Sequence, residues 1–218
     1  MNKNFKCVAF DLDGTLIDSG PDLLDSLNFV LQKNNLNTID SSIIGNLVGG
    51  GAEAMIRKGY RYLNKKIEEK KMSELINQFL EYYESNCTKK TKLYPNISEI
   101  LKSLKEKEIK ICICTNKRQY LAEKIIKELQ INNIFDVIVG SQKSVKLKPS
   151  TEMLEILLKK LLLKPESVIF IGDSMNDIIP ANTLGMTSVF VEYGYGEIKH
   201  PHKADYQVSN AKELENFF

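Results

Sequence analysis

Five short, nearly continuous apolar runs, separated by stretches of helical periodicity, constrain this sequence more than any other feature. They cover residues 6–10, 110–114, 135–139, 168–171 and 188–191 and are rich in Val and Ile. Runs of this kind suit strands buried on both faces of a parallel sheet. Between them, apolar side chains recur at helical spacing: Ile97, Ile100, Leu101 and Leu104; Leu121, Ile125, Ile126 and Leu129; Leu154, Leu157, Leu158 and Leu161. Such alternation predicts an open α/β sheet with right-handed crossovers.

One interval breaks the alternation. From Ile17 to Cys87 no convincing strand occurs, while Leu23, Leu27, Val30 and Leu31, and then Met72, Leu75, Ile76, Phe79, Leu80 and Tyr83, repeat at helical spacing. Gly49-Gly50-Gly51 punctuates this region. The simplest account is a helical lobe inserted after the first strand, giving an α/β core from 1–16 and 88–218 and a helical insert at 17–87. A chain of 218 residues accommodates one large domain with such an insert.

Composition excludes several alternatives. With 43% hydrophobic and 27% charged residues, the chain is not of a disordered type. A formal net charge of +2 gives no ground for a nucleic-acid or membrane partner. The apolar run at 7–10 is too short for a signal peptide, and no later window reaches membrane-spanning length. Cys7, Cys87, Cys112 and Cys114 are scattered, and no second pair at knuckle spacing completes a zinc site. They read as small buried hydrophobes of a cytoplasmic protein.

In open α/β sheets, ligands bind beyond the carboxyl ends of the strands. The first run is followed by Asp11-Leu12-Asp13-Gly14-Thr15, the second by Thr115-Asn116-Lys117, and the fourth by Gly172-Asp173-Ser174 with Asp177 four residues on. Lys148-Pro149 precedes the helix leading into that fourth strand. Clustered carboxylates persist most readily around a hard cation, and Mg²⁺ takes one or two carboxylates plus waters and a phosphate. A carboxylate beside that cation can attack phosphorus, a second two residues later can protonate the leaving oxygen, and Thr115 and Lys148 can hold the transferring phosphoryl oxygens. If a helix starts at Asp173, Asp173 and Asp177 share one of its faces. The chain lacks G-x-x-x-x-G-K-[ST] and H-E-x-x-H, and 172–176 lacks the last glycine of a nucleophile elbow.

Asp11-Leu12-Asp13-Gly14-Thr15-Leu16, Thr115-Asn116, Lys148-Pro149 and Gly172-Asp173-Ser174-x-x-Asp177 resemble, in order, the four motifs of the haloacid-dehalogenase-like hydrolases. The resemblance implies a Rossmann-like core with an inserted helical cap, Asp11 as nucleophile and Asp13 as general acid/base. It implies Mg²⁺ held by the Asp11 carboxylate, the Asp13 backbone carbonyl and Asp173, with Asp177 supporting them. Within that superfamily, Asp18-Ser19, Val48-Gly49-Gly50-Gly51, Thr115-Asn116-Lys117 and Tyr193-Gly194-Tyr195-Gly196 are most similar to phosphoglycolate phosphatases. The chain departs from their usual pattern at Arg118, at Ser150-Thr151 and at Leu184. A small phosphorylated metabolite is the implied substrate.

Asn116, Gly50 and Arg57 are further candidates for substrate binding, with Lys117 and Arg118 able to meet a substrate carboxylate. Gly49-Gly50-Gly51 reads either as a loop over the phosphate or as a helix stop. Two other functions share these residue types: a phosphosugar mutase, and a non-enzymatic switch built on a long-lived aspartyl phosphate. Asp13 favours turnover over the switch, because an acid two residues past the nucleophile promotes hydrolysis.

Overall fold

The computed structural model describes residues 5–218. The reading of the start as leaderless falls partly on residues 1–4, outside the described residues. In chain order the elements are β1 (Cys7–Phe10), β2 (Ile17–Asp18), α1 (Gly20–Lys33), α2 (Ile44–Leu47), α3 (Gly51–Tyr62), α4 (Met72–Asn86) and β3 (Lys92–Leu93). They continue with α5 (Ile97–Glu106), β4 (Lys110–Arg118), α6 (Gln119–Glu128), β5 (Val137–Ser141), α7 (Glu152–Leu161), β6 (Val168–Gly172), α8 (Met175–Leu184), β7 (Thr187–Val191) and β8 (Tyr206–Val208). Among the described residues, no helix is long and apolar enough to cross a membrane.

The chain divides into two compact units, Met1–Asp18 with Leu93–Phe218, and Ser19–Lys92. The first holds a six-stranded sheet in the order β5-β4-β1-β6-β7-β8, with every neighbouring pair parallel. The strands are apolar runs because both faces are covered. On one face, Cys7 and Ala9 of β1, Cys112 and Cys114 of β4, and Val168 and Phe170 of β6 pack with Met153, Leu154, Leu157 and Leu161 of α7 in one buried cluster. Ile97, Ile100, Leu101 and Leu104, which share one side of α5, are fully buried, and so are Ile125 and Ile126 of α6. All four cysteines are free and buried, with the Cys7 and Cys112 Sγ atoms 3.7 Å apart. Burial pushes the Cys114 thiol up to about 12, so it packs as a hydrophobe.

Three details differ from the pattern of apolar runs. β4 continues past Cys114 to Arg118 after a register shift against β5, so Thr115, Asn116 and Lys117 belong to the strand itself. β5 starts at Val137, because Phe135 closes the short helical turn before it. β8 adds an edge strand of only Tyr-Gln-Val, too short and too mixed in polarity to register as a run.

The second unit is helical. The apolar residues of α1 and α4 singled out by their spacing are buried in Leu27, Val30, Leu31, Leu75, Phe79 and Tyr83. Phe29 and Tyr82 stack with ring centroids 4.4 Å apart. Gly59 lets α3 lie close to α1, since a Cβ there would meet Leu27 Cδ2 at 2.9 Å. The Asp22 carboxylate accepts from the Lys90 and Thr91 amides and from the Thr91 hydroxyl, tying the two ends of the unit together. The ribbon β2–β3 lies where the chain leaves the sheet and returns to it.

Candidate active site

Strand order places the chemistry. β1 is flanked by β4 on one side and β6 on the other, so Asp11 after β1, Asp173 after β6 and Thr115, Asn116 and Lys117 in the last part of β4 converge at one edge of the sheet. Asp11 follows β1 directly, and its amide donates to Ile171 O at 2.9 Å. The chain then turns tightly, with the amides of Leu16 and Ile17 both donating to Leu12 O and that of Gly14 to Ile17 O. Leu12 and Leu16 point into the core, which fixes the turn carrying Asp13.

Lys148 is the hub. Its side chain is 1% exposed, and its ammonium donates to Asp11 Oδ1 at 3.0 Å, Cys114 O at 2.6 Å and Asp177 Oδ1 at 2.5 Å. All three N–H bonds of the ammonium are thereby used. Burial alone would pull its pKa down, but the charges of Asp11 and Asp177 outweigh that and raise it. Asn116 holds this lysine in place: its amide nitrogen donates to Lys148 O and its carbonyl accepts from Lys148 N, both at 2.8 Å. Asn116, a candidate for substrate contact, thus has both ends of its side chain on the lysine's backbone. The Thr115 hydroxyl accepts from the Lys117 amide at 3.2 Å and is buried.

Asp177 works on two sides. Its Oδ2 accepts from the Ser174 amide and hydroxyl, closing a capping box at the start of α8, while Oδ1 meets Lys148. Asp173 precedes the Ser174 N-cap, so it does not share a helix face with Asp177 as their spacing suggested. The capping box brings the pair together instead.

Asp13 and Lys117 form a second pair, with Lys117 Nζ 2.6 and 2.7 Å from the two carboxylate oxygens. The lysine side chain is 4% exposed, so its ammonium belongs to the site. Asp11, Asp13 and Asp177 pair with two ammonium groups and Asp173 lies beside them, so four ionised carboxylates would exceed the lysines by two charges. Burial, with Asp177 and Asp13 nearby and Lys148 opposing, pushes Asp11 up to about 6. Burial and the charges of Asp177 and Asp11 push Asp173 up to about 8, against the two amide hydrogen bonds it accepts. Carboxylate oxygens of Asp11, Asp173 and Asp177 lie within 4.8 Å of one another. Buried oxygen donors with surplus negative charge fit a hard divalent cation.

Gly50 and Arg57 belong to the helical unit. Gly50, at φ +84°, is the N-cap of α3, so the glycine triplet marks a helix start as well as the end of α2. The Arg57 guanidinium is taken up by Glu53 and Glu69 at 2.8–2.9 Å. The sequence did not reveal the backbone donors: the Tyr195 and Gly196 amides point at Asp173 Oδ2, at 2.7 and 3.2 Å. The Tyr-Gly-Tyr-Gly run was their only trace.

Residues 8–191 match the family model of haloacid dehalogenase-like hydrolases. A phosphoglycolate phosphatase of Mannheimia succiniciproducens is 34% identical over 199 residues, covering 89% of both chains. One from Haemophilus influenzae shows the same identity and coverage. The crystal structure of a predicted phosphoglycolate phosphatase from Haemophilus somnus superposes with a TM-score of 0.90 at 30% identity, covering 100% of this chain and 99% of the other.

Proposed function

The chain belongs to the haloacid dehalogenase-like hydrolase family, and from that premise we propose that it is a magnesium-dependent cytoplasmic phosphatase of small phosphomonoesters, phosphoglycolate among them. The observation that carries this reading is the buried acidic cluster organised by Lys148 at the ends of β1, β4 and β6. That phosphoglycolate phosphatases share a third of its residues over nearly the whole chain supports the substrate class.

Asp11, Asp173 and the Asp13 carbonyl would hold Mg²⁺, which supplies positive charge against the oxygens of the phosphoryl group. The Asp11 carboxylate attacks phosphorus, the bond to the leaving oxygen breaks, and Asp13 gives that oxygen a proton. Asp13 then takes a proton from a water that attacks the aspartyl phosphate, releasing inorganic phosphate and restoring Asp11. The Thr115 hydroxyl donates to a phosphoryl oxygen, and Lys148, its three N–H bonds committed, acts on the phosphoryl group through its positive charge, held at the site by Asp177 and Asn116. Lys117 keeps the Asp13 carboxylate in one orientation between the two steps. The helical unit Ser19–Lys92 acts as the cap that selects the substrate.

Phosphate release from phosphoglycolate should fall to background in excess EDTA and return when Mg²⁺ is restored. Undiminished release in the chelator overturns the metal requirement.

Asp13→Asn tests the mechanism. General acid/base groups contribute about 10²–10⁴-fold to rate. With an activated aryl phosphate, whose leaving group needs no proton, the variant should still form the aspartyl phosphate and then hydrolyse it slowly. A stoichiometric burst before a weak steady state is the expected trace. A wild-type phosphoryl form lasting minutes, with no slower decay in the variant, would favour a switch over a phosphatase.

A further inference from the structure

The loop at 193–196, which follows β7, surrounds the Asp173 carboxylate. Its Tyr195 and Gly196 amides both donate to Asp173 Oδ2. The fit is close: a Cβ on Gly194 would meet Asp173 Cβ at 2.2 Å and Gly14 O at 2.4 Å, and one on Gly196 would meet Asp173 O at 2.4 Å. A Cβ on Gly14 would likewise run into Asp173 Oδ2. The backbone of these two segments leaves that carboxylate little freedom.

A loop with two glycines does not hold such an aim unaided, because glycine gives its backbone wide conformational freedom. The tyrosines supply the anchors. The Tyr193 hydroxyl donates to Thr15 O at 3.0 Å, and its ring lies 4.8 Å from that of Tyr94. The Tyr195 hydroxyl donates to Asp18 Oδ1 at 2.5 Å and also interacts with Tyr94. Thr15 and Asp18 lie on the segment that leaves β1 and carries Asp11 and Asp13. The loop therefore ties the carboxylate at the end of β6 to the turn at the end of β1.

We infer that the loop at 193–196 positions the Asp173 carboxylate for its cation, with the Tyr195 hydroxyl as the anchor that aims the loop's amides. By holding Oδ2 it fixes where Oδ1 lies. The inference rests on Asp173 being a metal ligand. Partners that orient a ligand typically account for about 10–100-fold in metal affinity.

The test is direct Mn²⁺ binding, read from the electron paramagnetic resonance signal of the free ion, in wild type, Tyr195→Phe, Gly194→Ala and Asp173→Asn. Tyr195→Phe removes only a hydroxyl lying away from the carboxylate, and it should weaken Mn²⁺ binding by about 10-fold. Gly194→Ala should weaken it by more. The half-saturating Mg²⁺ concentration for phosphate release should rise in the same proportion as the Mn²⁺ dissociation constant, while kcat at saturating Mg²⁺ falls by less. Folded Tyr195→Phe with wild-type Mn²⁺ affinity overturns the inference, even if its melting temperature drops. If Gly194→Ala does not fold, Tyr195→Phe decides alone. Asp173→Asn separates the two levels: wild-type affinity there defeats the metal reading itself, whereas lost affinity there beside unchanged affinity in Tyr195→Phe defeats only the role of the loop.

Discussion

Asp11→Asn should leave a folded protein that releases no phosphate above background, a fall in kcat of at least about 10⁴-fold, in line with the loss of other enzymatic nucleophiles. The substitution keeps shape and removes nucleophilicity. An Asn carbonyl oxygen can still accept from Lys148 Nζ, as Asp11 Oδ1 does at 3.0 Å. It also removes a carboxylate whose charge is disfavoured by burial and by Asp177 and Asp13, so the melting temperature without metal should hold or rise. Mass spectrometry of wild type quenched during turnover should place one phosphoryl group on Asp11, and none should appear on the variant. Comparable hydrolysis of an aryl phosphate by the folded variant would show that another group attacks.

Lys148→Met should produce the largest loss of stability among single substitutions at the site. It leaves Asp11 and Asp177 buried without the ammonium that both contact. Removing one partner of a buried ion pair costs about 3–5 kcal/mol, because a charge remains without compensation. The effect has a definite pH dependence. Asp11 already sits at about 6 against an ordinary 3.8, so its stabilising contribution is full in acid and is lost as pH rises through about 6. Without Lys148, which holds that value down, the folded-state pKa moves further up and the penalty above it grows. Urea unfolding of the metal-free proteins should therefore find the two nearly equal near pH 4 and widely separated near pH 8. Equal stability near pH 8 would mean that Lys148 does not hold the cluster together. Activity should be lost as well, since the same ammonium serves the phosphoryl oxygens in the proposed reaction.

How much of this was legible in the chain depended on whether a feature is local. β1, β4 and β6 stand out as apolar runs because each is covered on both faces, and the polar residues that follow them are readable as strand-end groups. Asp11 and Asp173 could be named on that basis, and Lys148 from the Lys148-Pro149 pair ahead of the helix that leads into β6. The pairing of Lys117 with Asp13 could not, since it joins residues brought together only by the parallel register of β1 and β4. The aim of the Tyr195 and Gly196 amides was equally hidden, because a backbone donor has no residue type. Arg57 was a candidate for substrate binding, and its pairing with Glu69 was hidden because that residue, on the short helical turn before α4, meets it only in the folded unit.

The position of β1 also bears on how the protein comes off the ribosome. The strand is made well before its partners, since it pairs with β4, from Cys7 to Lys110, and with β6, from Cys7 to Val168. Contacts so distant in sequence slow folding, because a long loop must close before they form. The helical unit is one continuous segment lying wholly between those partners and can fold while the rest is still being made. The central strand must wait, its apolar edge unpaired, until Val168–Gly172 has emerged. Nascent chains that stop before that point lack one wall of the crevice and expose a bare strand edge, which makes them targets for chaperones and proteases rather than partly active enzymes.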